Sequence, residues 1–476
     1  MFDTQRKVTP VLVTFNDEHR GRPNVIWFVV DQMRAQATGY AGDPNLHTPH
    51  LDRLAAEGHT FTSAVAGAPL CCPARGSLLT GRYPRFSGVA GHEHPMPVGT
   101  PTIASELSTA GYRTAYFGKW HLDGRRPELA ATAGYDDSPR WRIIPAERRG
   151  GFADWWAYEN NNRPFDCLLH TDSGQTPDGV DVLRSVDGME QFRAPGYETD
   201  ALTDLAIDWM RRRERDQPFF AVISAQPPHD PYVAPAECMA RHTPAGISLR
   251  PNVPPSRAVR DRARRDLAGY YAAIERIDHN LGRLRCELDR LGIADNTYIV
   301  FLSDHGDMHG SHGQWRKTSP WEESVRVPLI IGGPSREHQS AHRVETLINQ
   351  VDIAPTTLGI CGVDVPDRMQ GTDFSAVISN QAPAPPSTYI GIPVPTGHGS
   401  SIDQPWSGVI TADGWKYVCL EDRPWLMFDL TDDPYELANH AQDPAYHAQR
   451  ADLHALVQDT ESALVGGHVD PTTQEG

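Results

Sequence analysis

Cysteine is scarce in this chain, with seven residues in 476, an odd number. That excludes a disulfide framework as the organising device. Long apolar runs are also missing: nothing approaches the roughly 18 consecutive apolar residues of a membrane-spanning helix. Before Pro23 the only apolar stretch is Val11–Phe15, and no small-residue cleavage site follows it, so the N-terminus does not read as a secretory signal. The expectation is a soluble, cytoplasmic protein with no membrane partner. Positive charge is in deficit, since 44 Lys and Arg against 61 Asp and Glu give −17. A nucleic-acid binder working by whole-chain charge is thereby excluded, although a local cationic cluster for a small anion is not.

What the chain does have is four short apolar runs, each ending in chemically capable residues. Val25–Val30 leads into Asp31-Gln32, and Thr114–Phe117 into Gly118-Lys119-Trp120-His121. Phe219–Ser224 leads into Gln226-Pro227-Pro228-His229-Asp230, and Tyr298–Ser303 into Asp304-His305-Gly306-Asp307. Continuous apolar runs of this length read as strands buried on both faces. Helical patterns alternate with them: Thr48–Gly58, Pro101–Gly111, Thr199–Arg213 and Ala263–Leu291. This alternation predicts an α/β fold, a large mostly parallel mixed sheet sandwiched by helices. Ligands of such sheets bind beyond the carboxyl ends of the strands, so the four polar bursts share one site.

After about residue 375 the pattern changes. A Pro/Ala-rich linker at Gln381–Pro386 precedes Gly408–Thr411, Trp415–Leu420 and Leu426–Leu430, which read as an antiparallel meander. A polar helix over Pro444–Val465 closes the chain. Residues 1–375 thus read as a catalytic domain and 376–476 as a small α+β subdomain with an antiparallel sheet. Segment 123–199 reads as an irregular insertion near the site or at a subunit contact.

The most informative stretch is Cys71-Cys72-Pro73-Ala74-Arg75, followed by Leu79-Thr80-Gly81-Arg82. Pro73 suits the first turn of a helix and Gly81 its end. Cys71 then sits at a helix N-terminus, where unpaired N–H groups favour an anion, with Arg75 one turn further in. Taken alone, the two cysteines would be core thiols; a zinc half-site would need C-x₂₋₄-C spacing, which they lack. The other five cysteines (Cys167, Cys238, Cys286, Cys361, Cys419) read as small core fillers.

This stretch resembles the signature of the formylglycine-dependent sulfatases, in the alkaline phosphatase superfamily, and the other strand ends follow that family's order over nearly the whole chain. The resemblance implies that Cys71 is oxidised to formylglycine by a separate maturation enzyme. Cys72 is in the wrong register, since Ala74 and not a proline would stand third. It further implies that Asp31, Gln32, Asp304, His305 and residue 71 hold one divalent metal. Oxygen ligands favour Ca²⁺ and the imidazole suits Mn²⁺ or Zn²⁺; the resemblance puts Ca²⁺ first and Mn²⁺ second. Lys119 and His121 match the family's Lys-x-His element, His229 its second histidine element, and Lys317 its late lysine. Each of these residues alone would more often be structural. The implied reaction is hydrolysis of an organic sulfate monoester: one hydroxyl of the hydrated aldehyde attacks sulfur, the alcohol leaves with a proton from His229 or Lys317, and His121, helped by Lys119, deprotonates the second hydroxyl so that sulfate is expelled.

The nearest rival is a formylglycine-dependent phosphonate monoester or phosphodiester hydrolase, which shares the Asp-Gln and Asp-His ligands but usually lacks the Lys-x-His element. A non-catalytic binder of sulfated ligands would be missing some of these residues. The implied partners are a small sulfated substrate and the maturation enzyme, with a homo-oligomer left open. His92 and His94 stand as candidate substrate contacts, and His309 and His312 as loop polarity. Trp141, Trp155, Trp156 and Tyr158 either stack on a sugar or aryl ring or pack in the core.

Overall fold

The structure, a computed structural model, describes residues 21–125, 138–334, 342–378, 385–397 and 402–466. The N-terminal stretch and most of the linker 381–386 lie outside them. The four apolar runs form β1 (Asn24–Asp31), β3 (Arg113–Lys119), β8 (Phe219–Pro228) and β9 (Thr297–Ser303). Between and around them lie β2 (His59–Val65), β4 (Asp154–Tyr158), β5 (Leu168–Asp172), β6 (Val182–Val186), β7 (Met189–Arg193), β10 (Leu329–Gly332) and β11 (His342–Asn349). All eleven join one sheet in the order β11-β2-β10-β9-β1-β8-β3-β4-β5-β7-β6. Strands β9, β1, β8, β3 and β4 are parallel neighbours, so the carboxyl ends of the four sequence-read strands lie side by side.

Burial on both faces explains why these strands read as unbroken apolar runs. Along β1, Ile26, Phe28 and Val30 enter one core and Val25, Trp27 and Val29 the other. The first core is covered by the helices Pro49–Glu57, Glu198–Arg212 and Arg257–Leu291. The second is covered by Cys71–Thr80, Ile103–Thr109 and Ile353–Ile360. The long helix begins six residues before the expected Ala263 and stops as expected at Gly292, whose φ of 69° suits glycine.

The described residues of segment 123–199 are not irregular: β4–β7 among them continue the main sheet, and β6 and β7 close its edge. Its aromatics pack. Trp155 stacks on Tyr116 at 5.3 Å and Trp156 on Phe117 at 5.2 Å, and Tyr158 is buried. Cys286 is exposed and not a core filler, and all seven cysteines are free thiols. No helix among the described residues is long and apolar enough to cross a membrane.

The second sheet has four antiparallel strands, β12 (Ser387–Ile392), β13 (Trp406–Thr411), β14 (Trp415–Leu420) and β15 (Arg423–Asp429). The first of these was not anticipated. One face of this sheet packs under the helix His447–Gly466. The other shares a core with the large unit, where Ile390, Trp406, Val418 and Phe428 meet Val65, Leu70, Val325 and Leu347. Leu70 directly precedes Cys71, so this sheet buttresses the start of that helix.

Candidate active site

The helix Cys71–Thr80 is buried at all ten positions, and its N-terminus carries no side-chain cap. Its first N–H groups are therefore available to an anion. Cys71 is its first residue and Arg75 lies four further on, on the same face. The Arg75 guanidinium reaches Asp31 Oδ2 at 3.0 Å and Asp304 Oδ2 at 3.1 Å. It also donates to the Lys119 carbonyl at 3.0 Å and to Ser224 Oγ at 2.8 Å. One buried cation thus joins the ends of β1, β3, β8 and β9.

Two local features place the neighbouring side chains. The β1–β8 register shifts between Val30 and Asp31, which sets Asp31 opposite Pro228, next to His229. Gly118, at φ 104°, lets β3 pass close to β8, because a Cβ there would stand 2.2 Å from the Ser224 carbonyl oxygen. Lys119 follows it and places Nζ 2.7 Å from Asp31 Oδ2. Gln32 and His121, just beyond two of these strand ends, hold left-handed φ values of 70° and 55°. Such strain in non-glycine residues gathers where side-chain direction matters more than backbone comfort.

Lys317 Nζ donates to Cys71 Sγ at 3.0 Å and to Gln32 Oε1 at 2.9 Å. His305 Nε2 stands 3.2 Å from Cys71 Sγ and 3.6 Å from Asp31 Oδ1. Its Nδ1 lies 3.0 Å from the Gly306 carbonyl, an acceptor, so Nδ1 carries the proton and Nε2 turns its lone pair inward. Asp31, Cys71, Asp304 and His305 each bring one ligand atom within 4.8 Å of the others, all buried. Two carboxylates, an inward imidazole lone pair and the adjacent Gln32 amide oxygen form a donor set that fits a single divalent cation.

The electrostatics are those of a buried, mixed-charge pocket. Burial alone would raise the Asp31 carboxyl, but Lys119, His229, Arg75 and Lys317 hold it well below the carboxylate range. Burial and Asp31 raise the Cys71 thiol, yet Lys317, Lys119 and His305 bring it below its ordinary value. His121 is pushed far down by burial, Lys119 and His92, and His229 by burial and Lys317. Burial lowers the His305 imidazole, but Asp304 and Cys71 together leave it above its ordinary value.

Of the ten residues singled out in the sequence, Asp31, Gln32, Cys71, Arg75, Lys119, Asp304, His305 and Lys317 are joined by these direct contacts. His229 stands beside them, its Nδ1 2.7 Å from the Asp230 carbonyl. His121 faces the edge of His92, ring centroids 5.5 Å apart. His94 is exposed. His309 is buried against Tyr270, and His312 stacks on Trp321.

Sequence reasoning assigned nothing to Asp307, although it is central here. Its Oδ2 accepts from Gln32 Nε2 at 2.6 Å and Tyr232 Oη at 2.7 Å, and its Oδ1 from the His309 and Arg316 N–H groups. It orients the Gln32 amide and ties down the loop that carries Lys317. Only its place in the Asp304–Asp307 run hinted at this.

The fold recurs in solved structures. A putative sulfatase yidJ from Bacteroides fragilis matches with a TM-score of 0.79 and 27% identity, covering 96% of this chain and 98% of that one. The phosphonate monoester hydrolase of Agrobacterium radiobacter shares the fold at 22% identity and a TM-score of 0.73, over 93% and 96% of the two chains. The architecture is that of a hydrolase of the alkaline phosphatase superfamily. Residues 23–363 match the Sulfatase family and 310–463 the N-sulphoglucosamine sulphohydrolase C-terminal family. An ulvan-active sulfatase of Formosa agariphila is 34% identical over 438 residues, 91% of this chain and 80% of that one. The chain belongs to the sulfatase family.

Proposed function

We propose that the protein hydrolyses an organic sulfate monoester to an alcohol and inorganic sulfate, with residue 71, as formylglycine, supplying the nucleophile. The observation that supports this most is the setting of Cys71: first in a buried uncapped helix, 3.0 Å from Lys317 Nζ and 3.2 Å from His305 Nε2. The oxidised and hydrated side chain would offer two hydroxyls on one carbon, one to attack sulfur and one whose deprotonation expels sulfate. Asp31, Gln32, Asp304 and His305, with residue 71, would hold Ca²⁺, or Mn²⁺ as second choice. That cation would supply positive charge to the nucleophile and a sulfate oxygen.

The remaining roles follow from position. Arg75, Lys119 and Lys317 bring three cations to a tetrahedral anion. Arg75 and Lys119 also keep Asp31 ionised. Lys317 gives a proton to the leaving alcohol, directly or relayed through His229, which burial and Lys317 leave neutral. His121, neutral because burial and Lys119 depress it, takes the proton from the second hydroxyl. The phosphonate monoester reading keeps the same ligands, and Lys119, 2.7 Å from Asp31, favours the sulfatase. We place the boundary of the catalytic unit near residue 375.

The test is a mass spectrum of the tryptic peptide Leu54–Arg75, alkylated, from protein made alongside a formylglycine-generating enzyme. One alkylated thiol and one aldehyde or its hydrate are expected. Two alkylated thiols would overturn the nucleophile assignment. Paired assays on an aryl sulfate and an aryl phosphonate monoester follow, and a higher kcat/KM on the phosphonate would select the rival. Chelation should remove both bound metal and activity, with Ca²⁺ restoring both; metal analysis of the purified protein reads the first directly.

A further inference from the structure

Cys72 has no part in the reaction above, yet it is as buried as Cys71 and looks onto different partners. One ligand atom each from Cys72, His92 and His121 lies within 4.8 Å of the others. Cys72 Sγ accepts the Glu93 N–H at 3.3 Å. His121 is 3% exposed, and its Nδ1 has no hydrogen-bond partner among the described residues. The His92 ring stands edge-on to it with an interplanar angle of 88°. We propose that Cys72, His92 and His121 form a second cation site, one that takes a soft divalent ion of the Zn²⁺ class and stops the enzyme when filled. The inhibitory half of this rests on the base role given to His121 above.

The donor sets separate the two sites. The cluster around Asp31 and Asp304 is rich in oxygen and suits a hard cation. A thiol and two imidazoles are the ligands of zinc and its softer neighbours. Burial, with nearby cations, keeps both imidazoles neutral near pH 7, His92 at about 4 and His121 well below its ordinary value. Zinc bonds of about 2.0–2.3 Å bring ligand atoms to roughly 3.5 Å apart, so atoms already within 4.8 Å of one another need draw in by no more than about 1.3 Å. His92, half-buried, is the least enclosed of the three. On binding, the Cys72 S–H bond breaks and a thiolate–metal bond forms; the proton goes to solvent, both imidazoles give lone pairs, and water fills the fourth position. No electron is transferred. His121, its lone pair committed, then no longer accepts a proton from the nucleophile.

Binding is read first on full-length Cys71→Ser protein with Ca²⁺ in excess, titrated with Cd²⁺ as a zinc surrogate. An ultraviolet thiolate-to-cadmium band saturating near one equivalent is expected, and it should vanish in Cys71→Ser/Cys72→Ser. A band unchanged in the double variant would overturn the site. Inhibition is read on matured enzyme against buffered free Zn²⁺. Losing one ligand should raise the half-inhibitory Zn²⁺ concentration at least about tenfold, in Cys72→Ser and separately in His92→Ala. Equal sensitivity in wild type and both variants would overturn the inhibitory claim. A cadmium band with full activity retained would uphold the site and count against His121 as the base.

Discussion

Arg75 shows how much one side chain does here. Its guanidinium binds two carboxylates, a carbonyl and a hydroxyl drawn from four strand ends, which is a task for a planar fork and not for a point charge. Arg75→Lys should keep the positive charge yet lower kcat/KM on an aryl sulfate by at least about 100-fold. A loss under about threefold would mean that charge alone suffices. Glu198 offers a pH test. Burial pushes its carboxyl up to about 7, while it accepts from Tyr158 and from the Gln226 N–H. With a folded pKa above the unfolded one, its contribution to stability is full below about pH 4.5 and is lost as pH rises towards 7. Glu198→Gln keeps an acceptor and removes the titration. The variant should therefore gain on wild type between about pH 5 and pH 8, by on the order of 2–3 kcal/mol in denaturant melts. A difference that does not change with pH would show that the carboxyl is not protonated in the fold. At this scale the sequence was most legible where chemistry sits in short runs, as at Asp31-Gln32 and Asp304-His305. Asp307 was not, because its importance comes from Gln32, Tyr232 and Arg316 converging on it through the fold.

Among elements, the parallel strands could be read because burial on both faces writes a continuous apolar run. The strands β5, β6 and β7 could not. They pair antiparallel towards the sheet edge, and His170, Thr171, Arg184 and Glu190 interrupt their apolar residues. Nor could β12, whose partner strand β13 follows a Pro-rich connection. The link between the small sheet and the site was equally hidden. Trp406 Nε1 donates to the Thr318 carbonyl at 2.8 Å, directly beyond Lys317. Lys416 Nζ, fully buried, bonds the Pro320 carbonyl, Glu322 and Glu436 at 3.1, 2.6 and 2.7 Å. Lys416→Met would leave two buried carboxylates without their shared cation, at a cost of about 3–5 kcal/mol. Glu436 already sits at about 7, so the loss should shrink as pH falls and protons replace the lysine. Urea midpoints of both proteins at about pH 5.5 and pH 8 check this. A larger loss at the lower pH would contradict it.

For the whole molecule, the shared core of Leu70, Val325, Ile390, Trp406 and Phe428 makes the two sheets one folding problem. A chain ending at residue 378 would expose Val65, Ala68 and Leu70 beside the helix Cys71–Thr80. It should be recovered insoluble or as large aggregates by size-exclusion chromatography, and without activity. A monomeric truncated protein with a cooperative melt would show that residues 1–378 fold alone.

The depth of the helix Cys71–Thr80 also sets a deadline. With Cys71 only 2% exposed and every other residue of its helix buried, a second protein that must grip this segment has to do so before the chain closes. Under the proposed oxidation of residue 71, a cell short of the maturation activity would then accumulate two populations fixed at birth, converted and unconverted, and time after synthesis would not mix them.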